Sequence, residues 1–235
     1  MQAPSRRPKK TIQTNIIIRG ADGHAYRRSV QPFFINEKGQ FLICCLVGGS
    51  NRCFRQTVQG GSEVGETPME TAVRETWEEL GLDITQCAVF IGEVLPISSL
   101  PPSNLPGSRS SAEAPPVLTI DQVELSSEDR AAFRYPSKNW RKQGIHGQEM
   151  YPLLFFLPSH DINKIQVNSQ SRGVRQEFNA VYWGSLVELE QSAPPVKQHL
   201  MSNVCPAVAA AALPFCWANG YSFEGIAAYS ANAVA

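Results

Sequence analysis

The sequence predicts a layered α+β domain. Its 235 residues suit one domain with short appendages, and a hydrophobic content of 43% supports a sizeable core. Short apolar segments bounded by turn residues predict strands, and one segment carries clear start and stop signals for a helix. Strands mixed with a few helices favour a layered α+β arrangement. The predicted strands are 16–18, 30–36, 41–46, 89–95, 152–157 and 180–183, the second and third forming a hairpin across 37–40.

The helix is predicted over residues 68–80. Thr67 is a good N-cap, Pro68 suits the first helical position, and Glu70 completes a T-x-x-E capping box. Gly81 is a natural stop after the last turn. At 100° per residue, one narrow apolar face must be buried. Its members are Met69, Ala72, Val73, Thr76 and Leu80.

Three carboxylates lie together on a different face of this helix. Glu75, Glu78 and Glu79 stand at positions i, i+3 and i+4, so they are neighbours on the helix surface. Carboxylates that close repel one another unless a cation lies among them. Hard oxygen ligands suit Mg²⁺, with Mn²⁺ as an alternative. The other interpretation is a solvated acidic face, which this triplet alone does not exclude.

A glycine-rich loop precedes the helix and strengthens the metal-site hypothesis. Gly60, Gly61 and Gly65 let backbone approach a metal or a phosphate where a side chain would block it. Glu66 and Arg74 are expected to pair and so lock this loop to the helix, which is a structural role.

The segment from Gly60 to Leu82 fits the pattern G-x5-E-x7-R-E-U-x-E-E-x-G-U, where U is aliphatic, and departs from it only at Thr76. The chain therefore resembles the Nudix hydrolases, whose signature this is. The resemblance implies an α/β/α sandwich with a mixed β-sheet and a metal-dependent cleavage of a nucleoside diphosphate linked to another group. It implies metal binding by Gly60, Glu75, Glu78 and Glu79, with Glu78 and Glu79 also catalytic.

Three flanking stretches are similar to the bacterial-type RNA pyrophosphohydrolases and to the related dinucleoside polyphosphate hydrolases. Residues 26–30 read YRRSV, where that family has Y-R-P-N-V, and residues 56–61 read QTVQGG, where it has Q-F-P-Q-G-G. Gly147-Gln148 and then Glu177-Phe178 follow in the family's order. The resemblance covers residues 26 to about 205, outside the insertion described below. It implies removal of phosphates from the 5′ triphosphate end of RNA.

The resemblance also implies further site residues. Glu177 would be a fourth acid, acting as a metal ligand or as a catalytic general base. Arg27 would bind phosphate through its guanidinium fork. An ordinary strand-end acid and a surface cation remain the alternatives for these two residues. The implied substrate-binding residues are Tyr26, Arg27, Arg55, Gln59, Gln148 and Phe178.

Several departures from the family pattern leave other functions open. Arg55 replaces a tryptophan, and Ser202 and Asn203 replace an aromatic residue and a lysine that contact RNA, so base recognition is expected to differ. Pro96 resembles the proline that marks ADP-ribose and NADH pyrophosphatases. A nucleotide- or RNA-binding subunit with little activity of its own is a third possibility.

Composition excludes some classes of protein and ligand. The formal net charge is +0, so no global basic field exists for nucleic acid, and any RNA contact must be local. No apolar run approaches the roughly 20 residues that cross a bilayer, and no membrane partner is expected. The six cysteines show no C-x-x-C spacing, so free thiols rather than structural zinc are expected.

The chain is predicted to have three parts. Residues 1–20 form a basic extension that is similar to a mitochondrial presequence, although a disordered tail in a cytoplasmic protein is an equal alternative. Residues 21–205 form the hydrolase domain, with a mobile Pro/Ser-rich insertion at about 98–136. Residues 206–235 form an Ala-rich tail. Nudix-type factors that stabilise edited mRNA in mitochondria are similar in type, which implies protein partners in an RNA-processing complex.

Overall fold

The structure is a computed structural model that describes residues 15–20, 22–48, 54–97, 124–125 and 128–230. Its strands are β1 (Ile17–Arg19), β2 (Ala25–Ile35), β3 (Phe41–Leu46), β4 (Arg55–Gln56), β5 (Gly60–Gly61), β6 (Val89–Glu93), β7 (Glu124–Leu125), β8 (Arg134–Pro136), β9 (Ile145–Phe156) and β10 (Phe178–Gly184). Its α-helices are α1 (Pro68–Leu80), α2 (Ile84–Cys87), α3 (Leu186–Gln191), α4 (Gln198–Asn219) and α5 (Ala227–Ser230).

Strand β2 is the centre of a mixed sheet. It pairs in parallel with β9 along its whole length and antiparallel with β1 and with the short strand β5. A hairpin joins it to β3, which pairs antiparallel with β10. Strands β6 and β8 both pair with the outer edge of β9. The mixed sheet and the 37–40 hairpin were predicted and are confirmed.

Side chains on the two faces of the sheet enter two separate cores, because successive residues of a strand point to opposite faces. Phe33 and Ile35 pack with the helices α3 and α4 in one core. Phe34 packs in the other core with Leu80 of α1. The sheet therefore lies between helical layers, which confirms the α/β/α sandwich.

Helix α1 begins and ends where the sequence predicts. The Thr67 hydroxyl accepts from the Glu70 N–H, and the Glu70 carboxylate accepts from the Thr67 N–H, which completes the capping box. Gly81 adopts φ 62°, the left-handed conformation that ends the helix. Ala72, Thr76 and Leu80 are fully buried. Met69 and Val73 are only half-buried, whereas Thr71, Glu75 and Glu79 are buried, so the buried face is shifted from the predicted one.

The Ala-rich segment departs from the predicted tail. Helix α4 runs without a break across residue 205, and Val204, Val208 and Ala212 are fully buried in the core. Within the described part of the chain, the helical stretch Pro195–Asn219 is long and apolar enough to cross a membrane, judged by length and composition alone. Its mean hydropathy is 1.5. Since 56% of that window is buried inside the protein, it equally fits a core helix. The stretch includes polar residues such as Gln198, His199 and Asn203, so it is not an unbroken apolar run of about 20 residues.

Two other predicted boundaries shift as well. Residues 17–19 of the predicted extension form β1 and pair with β2, so the sheet begins before residue 21. Residues 128–136 of the predicted insertion form a 3-10 helix (Glu128–Phe133) and β8, and Phe133 is fully buried. Residues 1–14, 98–123 and 126–127 lie outside the described residues, as do Cys53 and residues 231–235.

Cys44, Cys45, Cys87, Cys205 and Cys216 are free thiols, as predicted.

Candidate active site

The glycine pair of β5 lies in close contact with a carboxylate and a guanidinium. A Cβ placed on Gly60 would lie 1.7 Å from Cδ of Glu75, and one placed on Gly61 would lie 1.9 Å from a terminal nitrogen of Arg27. Neither glycine has a positive φ, so close approach, rather than an unusual backbone conformation, requires them. The carboxylate of α1 and the guanidinium of β2 therefore meet the two neighbouring residues of one short strand.

Glu66 and Arg74 lock the loop to α1, as the sequence predicts. Arg74 donates from Nε to Oε1 of Glu66 at 2.6 Å and from a terminal nitrogen to Oε2 at 2.9 Å. Arg74 also donates to the carbonyl of Gly61 at 2.9 Å. This bidentate pair and the Gly61 contact fix β5 against the first turns of the helix.

Arg74 also neutralises two of the predicted metal ligands. It lies 2.5 Å from a carboxylate oxygen of Glu75 and 3.8 Å from one of Glu78. Glu75 and Glu79 are each only 6% exposed, whereas Glu78 is half-buried. The acidic face of α1 is therefore directed inward, toward β5, which excludes the solvated-face interpretation for Glu75 and Glu79.

Glu79 is one of the two buried acids on this face of α1. Its carboxylate accepts a hydrogen bond from the backbone N–H of Gln59. Its Oε2 is buried and has no hydrogen-bond partner among the described residues. Burial, reinforced by the charges of Glu177 and Glu75, raises the pKa of the Glu79 carboxyl well above its usual range. A carboxylate with an open oxygen and a raised pKa is suited to accept either a cation or a proton.

The donor set fits a hard divalent cation in its chemistry. It supplies carboxylate oxygens, an open Oε2 on Glu79 and a glycine cradle beside Glu75. Within the described part of the chain, however, no three His, Cys, Asp or Glu side chains are arranged to hold a metal ion by themselves. Mg²⁺ is commonly bound by only one or two carboxylates, with water and substrate phosphates completing its shell. Glu75, Glu78 and Glu79 are the residues that would hold it, and their role stays a prediction.

Glu177 comes to this site from a distant part of the chain. It immediately precedes β10, its carbonyl accepts from the Val47 N–H at 2.9 Å, and its side chain is exposed. Its negative charge raises the pKa of Glu79. The structure therefore brings the fourth predicted acid near Glu79.

Lys197 is a site residue that sequence reasoning missed. Its Nζ donates to the side-chain oxygen of Gln59 at 2.5 Å and to that of Gln56 at 2.9 Å. Burial lowers the pKa of Lys197 to about 8, although Glu177 and Glu79 both oppose this shift. No local pattern in the sequence marks this lysine, because its partners Gln56 and Gln59 lie 141 and 138 residues away along the chain.

Gln59 connects Lys197 to two further side chains. Its amide nitrogen donates to the Tyr135 hydroxyl at 3.0 Å and to Oε1 of Gln148 at 3.3 Å. Gln148 also accepts from the Ser29 hydroxyl at 2.6 Å. The predicted substrate residues Gln59 and Gln148 are thus brought together, and Tyr135, which was not predicted, joins them.

Arg27 lies between this polar network and the acids. Its Nε donates to Oδ1 of Asn15 at 2.7 Å, and its guanidinium lies over the ring of Trp140, 5.2 Å from the centroid. Burial lowers the pKa of Arg27, although the negative charge of Glu75 opposes this. Half-buried and turned toward Gly61, Arg27 is not a simple surface cation.

Two predicted substrate residues lie elsewhere, and both predictions were wrong. Tyr26 alternates with Arg27 along β2, so its ring enters a different cluster, where its hydroxyl donates to Asp22 at 2.5 Å and Arg134 lies over it. Phe178 is fully buried in the core beneath α1 and offers no face to a base. Nε of Arg55 donates a hydrogen bond to the Tyr182 hydroxyl at 3.1 Å, and a contact between Arg55 and substrate stays a prediction.

Comparisons with known proteins identify the domain. Residues 25–104 match the NUDIX domain. An RNA pyrophosphohydrolase of Psychrobacter sp. (strain PRwf-1) is 39% identical over 61 residues, which cover 26% of this chain and 34% of that protein. One of Marinomonas sp. (strain MWYL1) is 39% identical over 69 residues, covering 29% and 41%. The chain thus spans only about a third of the length of the curated relatives it matches.

Solved structures resemble the chain with lower sequence identity. The C. elegans Ap4A hydrolase in a binary complex has 12% identity and a TM-score of 0.43, covering 75% of this chain and 93% of that one. The E. coli dihydroneopterin triphosphate pyrophosphohydrolase has 14% identity and a TM-score of 0.43, covering 74% and 92%. By the match over residues 25–104, this part of the chain is a Nudix domain, and the loop and helix of its signature line the site described above.

Proposed function

We propose that this chain is a Mg²⁺-dependent pyrophosphohydrolase that converts the 5′ triphosphate end of RNA to a monophosphate. The observation that carries the proposal is the meeting of Glu75 and Arg27 at Gly60-Gly61. A set of acidic oxygens that suits a divalent cation lies there beside a guanidinium that suits a phosphate. A substrate that joins a metal ion and a phosphate chain fits this arrangement.

The proposed reaction is hydrolysis of a phosphoanhydride. A water oxygen bonds to a phosphorus of the 5′ triphosphate, a P–O–P bond breaks, and pyrophosphate or phosphate leaves with the electron pair. Glu79 accepts the water proton at its open Oε2, with Glu177 as a second acceptor beside it. Arg27 holds the phosphate chain on the other side of β5. A bound Mg²⁺ would supply charge stabilisation for the phosphate oxygens.

Lys197 completes the charge balance of the proposed site. Four acids (Glu75, Glu78, Glu79 and Glu177) face a polyanionic substrate, so cations must separate like charges. Arg74 does this for Glu75 and Glu78, and Lys197 acts on Glu79 and Glu177.

RNA is favoured as the substrate by sequence similarity. The matched relatives bear the name RNA pyrophosphohydrolase, and the flanking motifs follow that family's order. Asn203, at one of the altered positions, turns its amide toward the carbonyls of Ala132 and His199. With two RNA contacts replaced, a protein partner that holds the RNA would complement the chain. The mitochondrial location stays a prediction, which rests on the basic residues within positions 1–20.

A substrate comparison tests the proposal. Purified protein with Mg²⁺ is offered 5′-triphosphorylated RNA, diadenosine polyphosphate, ADP-ribose and nucleoside triphosphates, and product release is followed. We expect the RNA to be converted with the highest kcat/KM and Glu79→Gln to lower kcat by about 10² or more. Faster hydrolysis of ADP-ribose than of any RNA would overturn the substrate assignment and would favour the interpretation of Pro96. Tight nucleotide binding without turnover would instead indicate a binding subunit.

A further inference from the structure

A short basic turn lies beside the proposed phosphate site. The 3-10 helix Lys138–Gln143, which we call the basic turn, ends at Gly144 with φ 78° and leads directly into β9. Lys138, Arg141 and Lys142 are exposed and form no ion pair with any residue of the described ranges. No aspartate or glutamate occurs from position 135 to position 148. A chain with a net charge of +0 therefore carries a local excess of three positive charges at this point.

The nearest acid along the chain does not offset this charge. Glu149 follows the basic turn on β9, but it is fully buried and its carboxylate accepts from Nε of Arg134 at 2.8 Å. Its charge is therefore already paired inside the protein. The three exposed cations remain available to a ligand from solution.

Trp140 joins the basic turn to the site. Its ring is half-buried and lies 5.2 Å from the guanidinium of Arg27, which itself contacts Gly61. The three cations lie within two residues of this tryptophan in the same 3-10 helix, so their backbone lies within about one turn of the point where Arg27 would hold a phosphate. A mononucleotide bound at Arg27 has no further phosphates to reach them. A longer chain, entering by its 5′ end, has one for each nucleotide.

We propose that Lys138, Arg141 and Lys142 bind the backbone phosphates of a single-stranded RNA whose 5′ end lies at Arg27. This inference rests on the proposed function and adds the path of the chain beyond its first nucleotide. Grouped cations beside an aromatic ring are typical of surfaces that bind single strands without reading their sequence. The basic turn supplies the local RNA contact that the neutral net charge does not provide globally.

Binding and turnover test the path separately. The probe is a fluorescent RNA decamer with a 5′ monophosphate, whose affinity is measured by anisotropy at several salt concentrations. Arg141→Gln with Lys142→Gln should weaken binding about tenfold and reduce the slope of log K against log salt by about 1.4, since each lost phosphate contact contributes about 0.7. The control, Lys38→Gln with Lys164→Gln, removes the same charge from exposed positions elsewhere and should leave both values unchanged.

Turnover gives a second readout. The ratio of kcat/KM for a triphosphorylated decamer to that for GTP should fall about tenfold in the Arg141/Lys142 variant and stay constant in the control, because only the decamer reaches the basic turn. Unchanged RNA affinity and salt slope in the variant would overturn the inference. So would equal competition by polyglutamate at matched charge, which would indicate an acidic protein ligand instead. If wild type hydrolysed ADP-ribose rather than RNA but the variant still lost decamer affinity, the proposed function would fail and the RNA path would stand.

Discussion

The substitution Gly60→Ala isolates the central contact of the site. The new Cβ would lie 1.7 Å from Cδ of Glu75, and an ordinary contact begins at about 3.4 Å. The backbone of β5 pairs with β2 and is held by Arg74, so the carboxylate must move rather than the strand. A displacement above 1 Å at a catalytic group costs about 10²-fold in rate, which corresponds to about 2.7 kcal/mol of transition-state stabilisation.

The assay measures kcat, KM and the Mg²⁺ dependence with 5′-triphosphorylated RNA. Gly60→Ala should lower kcat/KM about 10²-fold and raise the Mg²⁺ concentration needed for half-maximal rate, because Glu75 is displaced. Gly61→Ala places its Cβ 1.9 Å from Arg27 and should mainly raise KM. Gly92→Ala, where a Cβ meets nothing within 4 Å, is the matched control.

The loss of activity in Gly60→Ala is interpretable only if the variant remains folded. Thermal unfolding should show that Gly60→Ala remains folded at the assay temperature. A folded Gly60→Ala protein with the kcat/KM and Mg²⁺ dependence of wild type would refute the role of Glu75 in the site. Equal losses in Gly60→Ala and Gly92→Ala would attribute the effect to glycine replacement in a strand.

Three further predictions address single side chains. Glu79→Gln should lower kcat by about 10² or more because it removes the proton acceptor, and near-normal turnover would contradict that role. Lys197 has a pKa of about 8 in the fold against an ordinary value of 10.5, so the unfolded chain binds the proton more tightly and wild-type stability rises with pH across that window. This gain in the free energy of unfolding is on the order of 3 kcal/mol between pH 7.5 and pH 10.5, and Lys197→Met should lack it. Urea unfolding at the two pH values measures it, and parallel pH profiles for the variant and wild type would disprove the burial of the Lys197 charge. Arg172 donates to the Glu78 carbonyl at 3.1 Å at the end of a helix with no basic residue in its last turn. Arg172→Met should cost about 1 kcal/mol and lower Tm by about 2–4 °C, whereas the exposed Arg175→Met should not, as measured by calorimetry.

Sequence reasoning was accurate where the information is local. The capping residues Thr67 and Glu70 and the stop at Gly81 fix the bounds of α1, because each acts within one helical turn. The same applies to the pairing of Glu66 with Arg74, whose spacing along the loop and helix is fixed.

Sequence reasoning was inaccurate where burial decides the role of a residue. Phe178 looked like a stacking residue but fills the core, and Tyr26 lies on the opposite side of β2 from Arg27. The Ala-rich segment looked like a tail but packs as α4 against the sheet. A residue type does not reveal which surface will cover it.

The sequence by itself determined the Nudix signature, the helix that carries its acids, and the central strands, because periodicity and capping are written in neighbouring residues. Only the tertiary structure decided which charges meet. Lys197 reaches Gln59 across 138 residues of chain, and Arg27 reaches Gly61 because β2 pairs with β5. Electrostatic interactions depend on distance in space and on the exclusion of water, and both are set by packing of the whole domain.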